Sequence, residues 1–474
     1  MCHSHDSHIL ISTTIQEKRL RMMKTIRIGG GQGFWGDLSD APITMAREDN
    51  LDYICCDYLA ELTLSIMRRQ QEKRPEAGYA RDFITALKGM LPYIDEKGTK
   101  VITNAGGMNV KACVEKAKEA IREGGYHLKV GYVLGDDVRE LIPQLRAQGI
   151  TMKHMDTGED IDRILPNMVN ANVYYGVEPI VKCLEDGADI IILGRSTDTA
   201  MFEAPLIYEF GWKLDDWTAK ATGILAGHLC ECGAQATGGN YDYDWEHVPS
   251  PENLGYPIAE ISEKGSLVLT KTKNTGGLVT PQSVKEQLLY EIHDPSKYIT
   301  PDVVADFSKI TLEEIERDHV AVRGVTGTPA PDTLKLCVGY LEGYRTIAYL
   351  PYSWPRAYDK AKMAADILDK RLAMKNAKII RKNISYLGVN ALHGPLAPEI
   401  QADLNEVVLR YAIMTESKKE GLKLTPEVAA VSNLNGPAQG CFFGGRSRPS
   451  EVFALWPTLI PRDAIKLTTF VEEV

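Results

Sequence analysis

At 474 residues the chain is longer than an ordinary single domain, and 44% hydrophobic with 25% charged residues is the composition of a globular protein with a large core. A formal net charge of −10 argues against a nucleic-acid-binding surface and against an anionic membrane surface, both of which call for a basic face. Nine cysteines, an odd number with Cys55 and Cys56 adjacent, do not make a disulfide framework, and no apolar run reaches the roughly 20 residues that span a bilayer. Reduced thiols in the cytosol are the simpler reading.

The opening MCHSHDSHIL has neither a basic n-region nor an apolar h-region, so it is not a secretory signal. Residues 1–23, with Cys2, His3, His5 and His8, read as a disordered extension rather than a metal site. From Lys24 the pattern is strand, loop, helix, repeated. Strands are expected at Thr25–Ile28, Leu51–Cys56, Lys100–Thr103, Leu128–Leu134 and Asp189–Leu193. Helices are expected at Ala60–Gln71, Tyr79–Ile94, Val110–Arg122, Asp137–Gln148 and Val177–Asp186. Apolar strands alternating with amphipathic helices predict parallel βα layers, doubly wound or barrel-like, over residues 24–240. A helix at Leu214–Ala226 precedes a change of character, with a boundary within 212–260. Residues 241–474 then read as a smaller α+β domain. Its strands are expected at Ile258–Ile261, Ser266–Thr270, His319–Val325, Leu334–Leu341, Arg345–Leu350, Ile379–Leu387 and Glu406–Ala412, with a long helix at Arg356–Ala373.

In such folds ligands bind beyond the carboxyl ends of the strands. That rule selects Gly29–Asp37, Asp57, Asn104–Asn109, Asp136–Asp137 and Arg195–Asp198, which are mostly polar or glycine. Gly29–Gly36 is a glycine-rich loop whose amides suit an anion, yet Phe34-Trp35 interrupt the helix start that a dinucleotide loop needs, and the lysine of a Walker loop is missing. Asn104-Ala-Gly-Gly-Met-Asn109 suits a carbonyl or carboxylate oxygen, or is a plain βα turn capped by Asn109. Gly194-Arg-Ser-Thr-Asp198 offers Arg195 to a carboxylate, with Asp198 as its orienter or as a base. His228–Asn240 is the densest polar stretch. Cys230 and Cys232 are too close together for a zinc knuckle; a metal set with His228, a cysteine nucleophile and a substrate-lining turn are its three readings, the last preferred. A further glycine-rich loop, Asn435–Arg446, could close over a site or lie on the surface.

Gly29-Gly-Gly-Gln-Gly-Phe-Trp-Gly-Asp37, Gly194-Arg-Ser-Thr-Asp198, Glu231-Cys-Gly-Ala-Gln-Ala-Thr-Gly-Gly239 and Gly444-Gly-Arg446 with Trp456-Pro-Thr-Leu-Ile-Pro461 together resemble the acyclic terpene utilisation AtuA family, from about Lys24 onward. The resemblance implies catabolism of a small carboxylic acid or an acyl-CoA, but attaches no reaction. Longer members carry a ferredoxin-like domain that this sequence lacks, which implies a separate small partner subunit; a cytoplasmic homo-oligomer is expected. Two acids without a redox motif suit a lyase or hydratase that abstracts a proton, with Asp57, Asp198 and Glu231 as catalytic groups. Substrate contacts are expected from Gly30, Gly31, Gln32, Gly33, Asn104, Gly106, Gly107, Arg195, Ser196, Gln235, Gly238 and Gly239. No metal ligand is assigned and the cofactor is left open. The alternatives are a thioester or amide hydrolase using Cys230 or Cys232, and a non-catalytic subunit of a heteromeric complex.

Overall fold

The structure, a computed structural model, describes residues 24–400, 402–438 and 444–474. The N-terminal histidines and the middle of the late glycine loop lie outside the described residues. The chain separates into two compact units: one of residues up to Arg163, Val169–Gly339 and Leu455–Val474, the other of Ile164–Met168 and Tyr340–Ala454.

The first unit is built on a mixed sheet of ten strands. In chain order these are β1 (Thr25–Gln32), β2 (Tyr53–Cys56), β3 (Lys100–Thr103), β4 (Lys129–Leu134), β5 (Ile190–Ile192), β6 (Pro257–Ser262), β7 (Leu267–Lys271), β8 (Thr311–Glu316), β9 (His319–Arg323) and β10 (Thr468–Glu473). Across the sheet the order is β8-β9-β7-β6-β1-β2-β3-β5-β4-β10. The five strands expected from the first half of the sequence lie together as β1-β2-β3-β5-β4, and each pairs parallel with its neighbour. Antiparallel strands extend both sides: β6 beside β1, and β10 beside β4. The protein is therefore a mixed α/β fold around one large mixed sheet.

Burial on both faces explains why the central strands are unbroken apolar runs. In β5, Ile190 and Ile192 join one core cluster and Ile191 the other; in β2, Ile54 and Cys56 alternate in the same way with Tyr53 and Cys55. One face packs α1 (Glu61–Lys73), α2 (Asp82–Lys97) and α3 (Val110–Gly124). The other packs α4 (Ala200–Phe210) and α5 (Trp217–Cys230). The helix α5 is capped by Asp216, whose side chain accepts from Ala219 N, and it is buried nearly all round, which suits its run of small and apolar residues.

Two expectations are corrected. The strand β1 does not stop at Ile28 but runs through Gly29-Gly-Gly to Gln32. Leu334–Leu341 and Arg345–Leu350 are parts of one 21-residue strand, Thr333–Ser353, since Gly339 and Gly343 leave the extended backbone intact. In the second unit, the end of that strand pairs antiparallel with Glu406–Thr415, which pairs with Arg381–Leu387. The helix α6 (Ala357–Met374) buries Ala361, Ala364, Ala365, Leu368 and Leu372 in a core shared with Leu350, Leu409 and Tyr411. No helix among the described residues is long and apolar enough to cross a membrane.

Buried charge in the first unit has a consequence for stability. Glu203 of α4 has no exposed surface, and neither carboxylate oxygen has a hydrogen-bond partner. Burial pushes its pKa well up and Asp302 adds to this, while Lys220 opposes them. Asp302 is likewise pushed up by burial, to about 6. Groups that hold protons more tightly folded than unfolded stabilise the protein fully at acidic pH and lose that contribution as pH rises through their folded values. Glu203→Gln should match the wild type at pH 4, below the ordinary glutamate range, and melt higher at pH 8, by roughly 1–2 °C for each kcal/mol in a unit of this size. Melting curves at the two pH values check this; an equal shift at both would contradict it.

Candidate functional site

The strand ends bring the chosen residues to one rim of the sheet, but only some of them reach open space. Beyond β5, Arg195 is 2% exposed and its guanidinium makes two hydrogen bonds to Asp198, the Nη2–Oδ2 bond being 3.3 Å and the Nη1–Oδ1 bond shorter. The same guanidinium lies over the Tyr174 ring, 4.1 Å from its centroid. Lys335 approaches that ring at 4.7 Å and pairs with Glu61 at 3.1 Å. Tyr174 therefore carries two cations, each with its own carboxylate.

A cleft of about 810 Å³ opens over this group, lined also by Glu231, Tyr298, Glu291 and His293. Burial works against the Glu61 carboxylate, yet the charges of Arg195 and Lys335 outweigh it and hold its pKa down at about 2. Glu231 goes the other way: burial raises its pKa, Asp198 adds to the rise, and His228 only partly offsets it. Its Oε1 lies 3.5 Å from His228 Nδ1, and its Oε2 has no partner. His228 Nε2 faces the Leu288 carbonyl at 3.3 Å, an arrangement that places the ring proton on Nε2 and, in the neutral ring, turns Nδ1 toward Glu231 as an acceptor. One cleft thus holds two fixed cations, a carboxylate held ionised and a carboxyl inclined to keep its proton.

The backbone under Arg195 is anchored by buried polar groups. Asp136 Oδ2 accepts from Arg195 N at 2.9 Å and from Asn172 Nδ2 at 3.0 Å. Asn172 accepts from Asn170, which accepts from Ser65 of α1 at 2.6 Å. With these partners Asp136 fixes the turn that presents Arg195.

Of the residues singled out from sequence, Arg195, Asp198 and Glu231 line the cleft. Asp57 and Asn104 do not. They are buried and bonded to each other, Asn104 Nδ2 to Asp57 Oδ1 at 2.7 Å, and Leu59 N also donates to Asp57 at 2.9 Å. Burial and the charge of Asp198 raise the Asp57 pKa, with Arg195 opposing. Ser196 is fully buried and its hydroxyl has no partner.

The glycines stand where backbone segments pack closely. A Cβ on Gly30 would sit 2.2 Å from the Cys230 carbonyl oxygen, and one on Gly33 would sit 2.6 Å from the Cys232 carbonyl carbon. Gly31 lies against Pro42 and Ile54, Gly106 against the Leu193 carbonyl, Gly107 against Met67, Gly238 against Val248 and Gly239 against Ala234. Gln32 is buried and donates to the Leu38 carbonyl at 2.5 Å, while Gln235 accepts from Asn240 at 3.4 Å. The first glycine loop also carries its own anion: Asp37 accepts from Gly33 N at 2.9 Å, Leu38 N at 2.7 Å and the Tyr256 hydroxyl at 2.5 Å.

Glu61, Tyr174, Lys335 and Tyr298 were not singled out from the sequence. Glu61 had a usable signal, standing four residues past Asp57 at the start of α1. Tyr174 follows the strand Met168–Val173, whose buried asparagines conceal it in a hydropathy reading, and Lys335 comes from a strand 274 residues beyond Glu61. Cys230 is fully buried and Cys232 partly so; burial raises both thiol pKa values well above the ordinary range. Among the described residues no group of three or more His, Cys, Asp or Glu side chains is disposed to hold a metal ion.

Fold and cleft together describe a mixed α/β protein with charged and protonatable side chains gathered in one concave site. Residues 26–471 match the model of the acyclic terpene utilisation family protein AtuA, and the chain belongs to that family. No curated protein and no solved structure matches the chain.

Proposed function

We propose that the protein is an acid–base enzyme of the lyase or hydratase type acting on a small carboxylic acid. The observation that carries this reading is the pairing, in one cleft, of the Arg195–Tyr174–Lys335 group with the raised carboxyl of Glu231. Arg195 and Lys335 would hold the substrate carboxylate and stabilise negative charge as it builds at the neighbouring carbon. Asp198, on the cleft side of Arg195, would take the proton next to the carboxylate, and Glu231 would supply one. Asp57 has no place in the cleft and would act on the site through its charge.

Two further observations favour this reading over the alternatives. The thiols of Cys230, fully buried, and Cys232, partly buried, have pKa values raised by burial and are poorly suited to thiolate attack. The cleft lining holds two cations, Arg195 and Lys335, and four acids, Glu61, Asp198, Glu231 and Glu291, which disfavours the several phosphate charges of a CoA ester more than the single charge of a carboxylate. The test is to incubate the protein in D₂O with a panel of short carboxylic acids and their CoA thioesters and follow the C–H next to the carbonyl by NMR. Catalysed exchange into a free acid is expected. Exchange into thioesters alone would overturn the substrate assignment, and no exchange into any compound would overturn the reading.

A further inference from the structure

Three polar atoms at the cleft lack partners although their side chains belong to residues about nine-tenths buried or more: Arg195 Nε, the Tyr174 hydroxyl and Glu231 Oε2. Unpartnered polar atoms in a buried wall cost free energy unless something bonds to them. Two of these stand at the cationic group and can donate to a carboxylate. The third belongs to the carboxyl that burial inclines to keep its proton, and His228 on its other oxygen adds no fixed negative charge to the cleft. A ligand that bonds to all three carries an anion at one end and a neutral group, able both to accept and to donate, at the other.

Resting on the function proposed above, we infer that the substrate is a short 3-hydroxy carboxylic acid, its carboxylate at Arg195 and Tyr174 and its hydroxyl at Glu231 Oε2. The corresponding reaction is reversible dehydration. Asp198 takes the proton from C2; the C2–H electron pair forms the C2=C3 double bond as the C3–O bond breaks; and the leaving oxygen takes the proton of Glu231. The products are a 2-enoic acid and water. Asp198 then returns its proton to solvent and Glu231 regains one, so no other reactant enters. A hydroxyl suits a protonated Glu231, whereas an ammonium in its place would favour the ionised form.

The experiment is isothermal titration calorimetry of the full chain with matched straight-chain acids: unsubstituted, 3-hydroxy and 3-amino. The 3-hydroxy acid is expected to bind about tenfold tighter than the unsubstituted acid, the ratio one well-formed hydrogen bond gives. Glu231→Met should remove that preference while leaving the unsubstituted acid bound, and Glu231→Gln should restore part of it. NMR of the 3-hydroxy acid with the wild type should show the 2-enoate appearing. Equal binding of all three acids would overturn the inference and leave the carboxylate site standing; tightest binding of the 3-amino acid would overturn it in favour of an amine. Failure of every acid to bind would overturn the site reading with it.

Discussion

Glu231→Gln is expected to lower turnover by about 10²–10⁴-fold, the usual contribution of a positioned proton donor, with carboxylate binding nearly unchanged. The amide keeps the size of the carboxyl and a donor toward His228, but it has no proton to give. The pH profile separates this role from a structural one. Burial raises the Glu231 pKa, so its protonated form persists above the ordinary range for a glutamate and is lost as pH rises further. The wild-type rate should therefore fall on the alkaline side through that raised value, and the residual rate of the Gln variant should lose this limb. Rates of 2-enoate formation from the 3-hydroxy acid measured across pH, beside dissociation constants from thermal shifts, test both parts; parallel loss of binding and rate would give Glu231 a structural role instead.

Arg195→Ala is expected to abolish carboxylate binding and to destabilise the protein by about 3–5 kcal/mol at neutral pH, as removal of one member of a buried ion pair does. The loss has a definite pH dependence. In the wild type Arg195 restrains the pKa of Asp57, which burial and Asp198 raise. Without the guanidinium Asp57 holds its proton more tightly in the folded state, so the variant is least impaired at acidic pH and loses further stability as pH rises. Arg195→Lys should recover part of the stability, because it keeps a charge, and less of the binding, because an ammonium cannot hold Asp198 with a planar fork and present a further fixed donor as Nε does. Urea unfolding of the three proteins at pH 5 and 8 measures this. A loss that is the same at both pH values would show that packing over Tyr174, rather than charge, dominates.

The five parallel strands were legible because each is an apolar run short enough to be a strand, and amphipathic helical patterns separate most of them. Arg195, Asp198 and Glu231 could be selected because a charged residue just past a strand, or at the end of a helix, stands out against its neighbours. The glycines invited a different reading from the one their packing supports. From sequence, a glycine that lets a ligand approach and one that lets a carbonyl approach are indistinguishable; only the Cys230 and Cys232 carbonyls against Gly30 and Gly33 reveal the second. Asp37 was equally hidden, since a carboxylate folding back on its own loop has no spacing signature. Lys335 and Tyr174 were beyond reach for another reason: Lys335 meets Tyr174 and Glu61 through contacts between segments far apart in sequence, and local pattern carries no information about those.

The last strand of the sheet has a meaning for how the protein comes to be made. β10 covers the free side of β4 with six residue pairs, Phe470 stacks on Tyr132 at 4.9 Å, and Glu472 bonds Lys118 at 2.6 Å from a position 354 residues further along. On the ribosome, β4 emerges long before its cover does. Through that interval a strand rich in valine presents unpaired amides and carbonyls to any other extended chain nearby. The nascent protein therefore passes through a long period of exposure to mispairing, which ends only with a segment made 354 residues after the lysine it bonds.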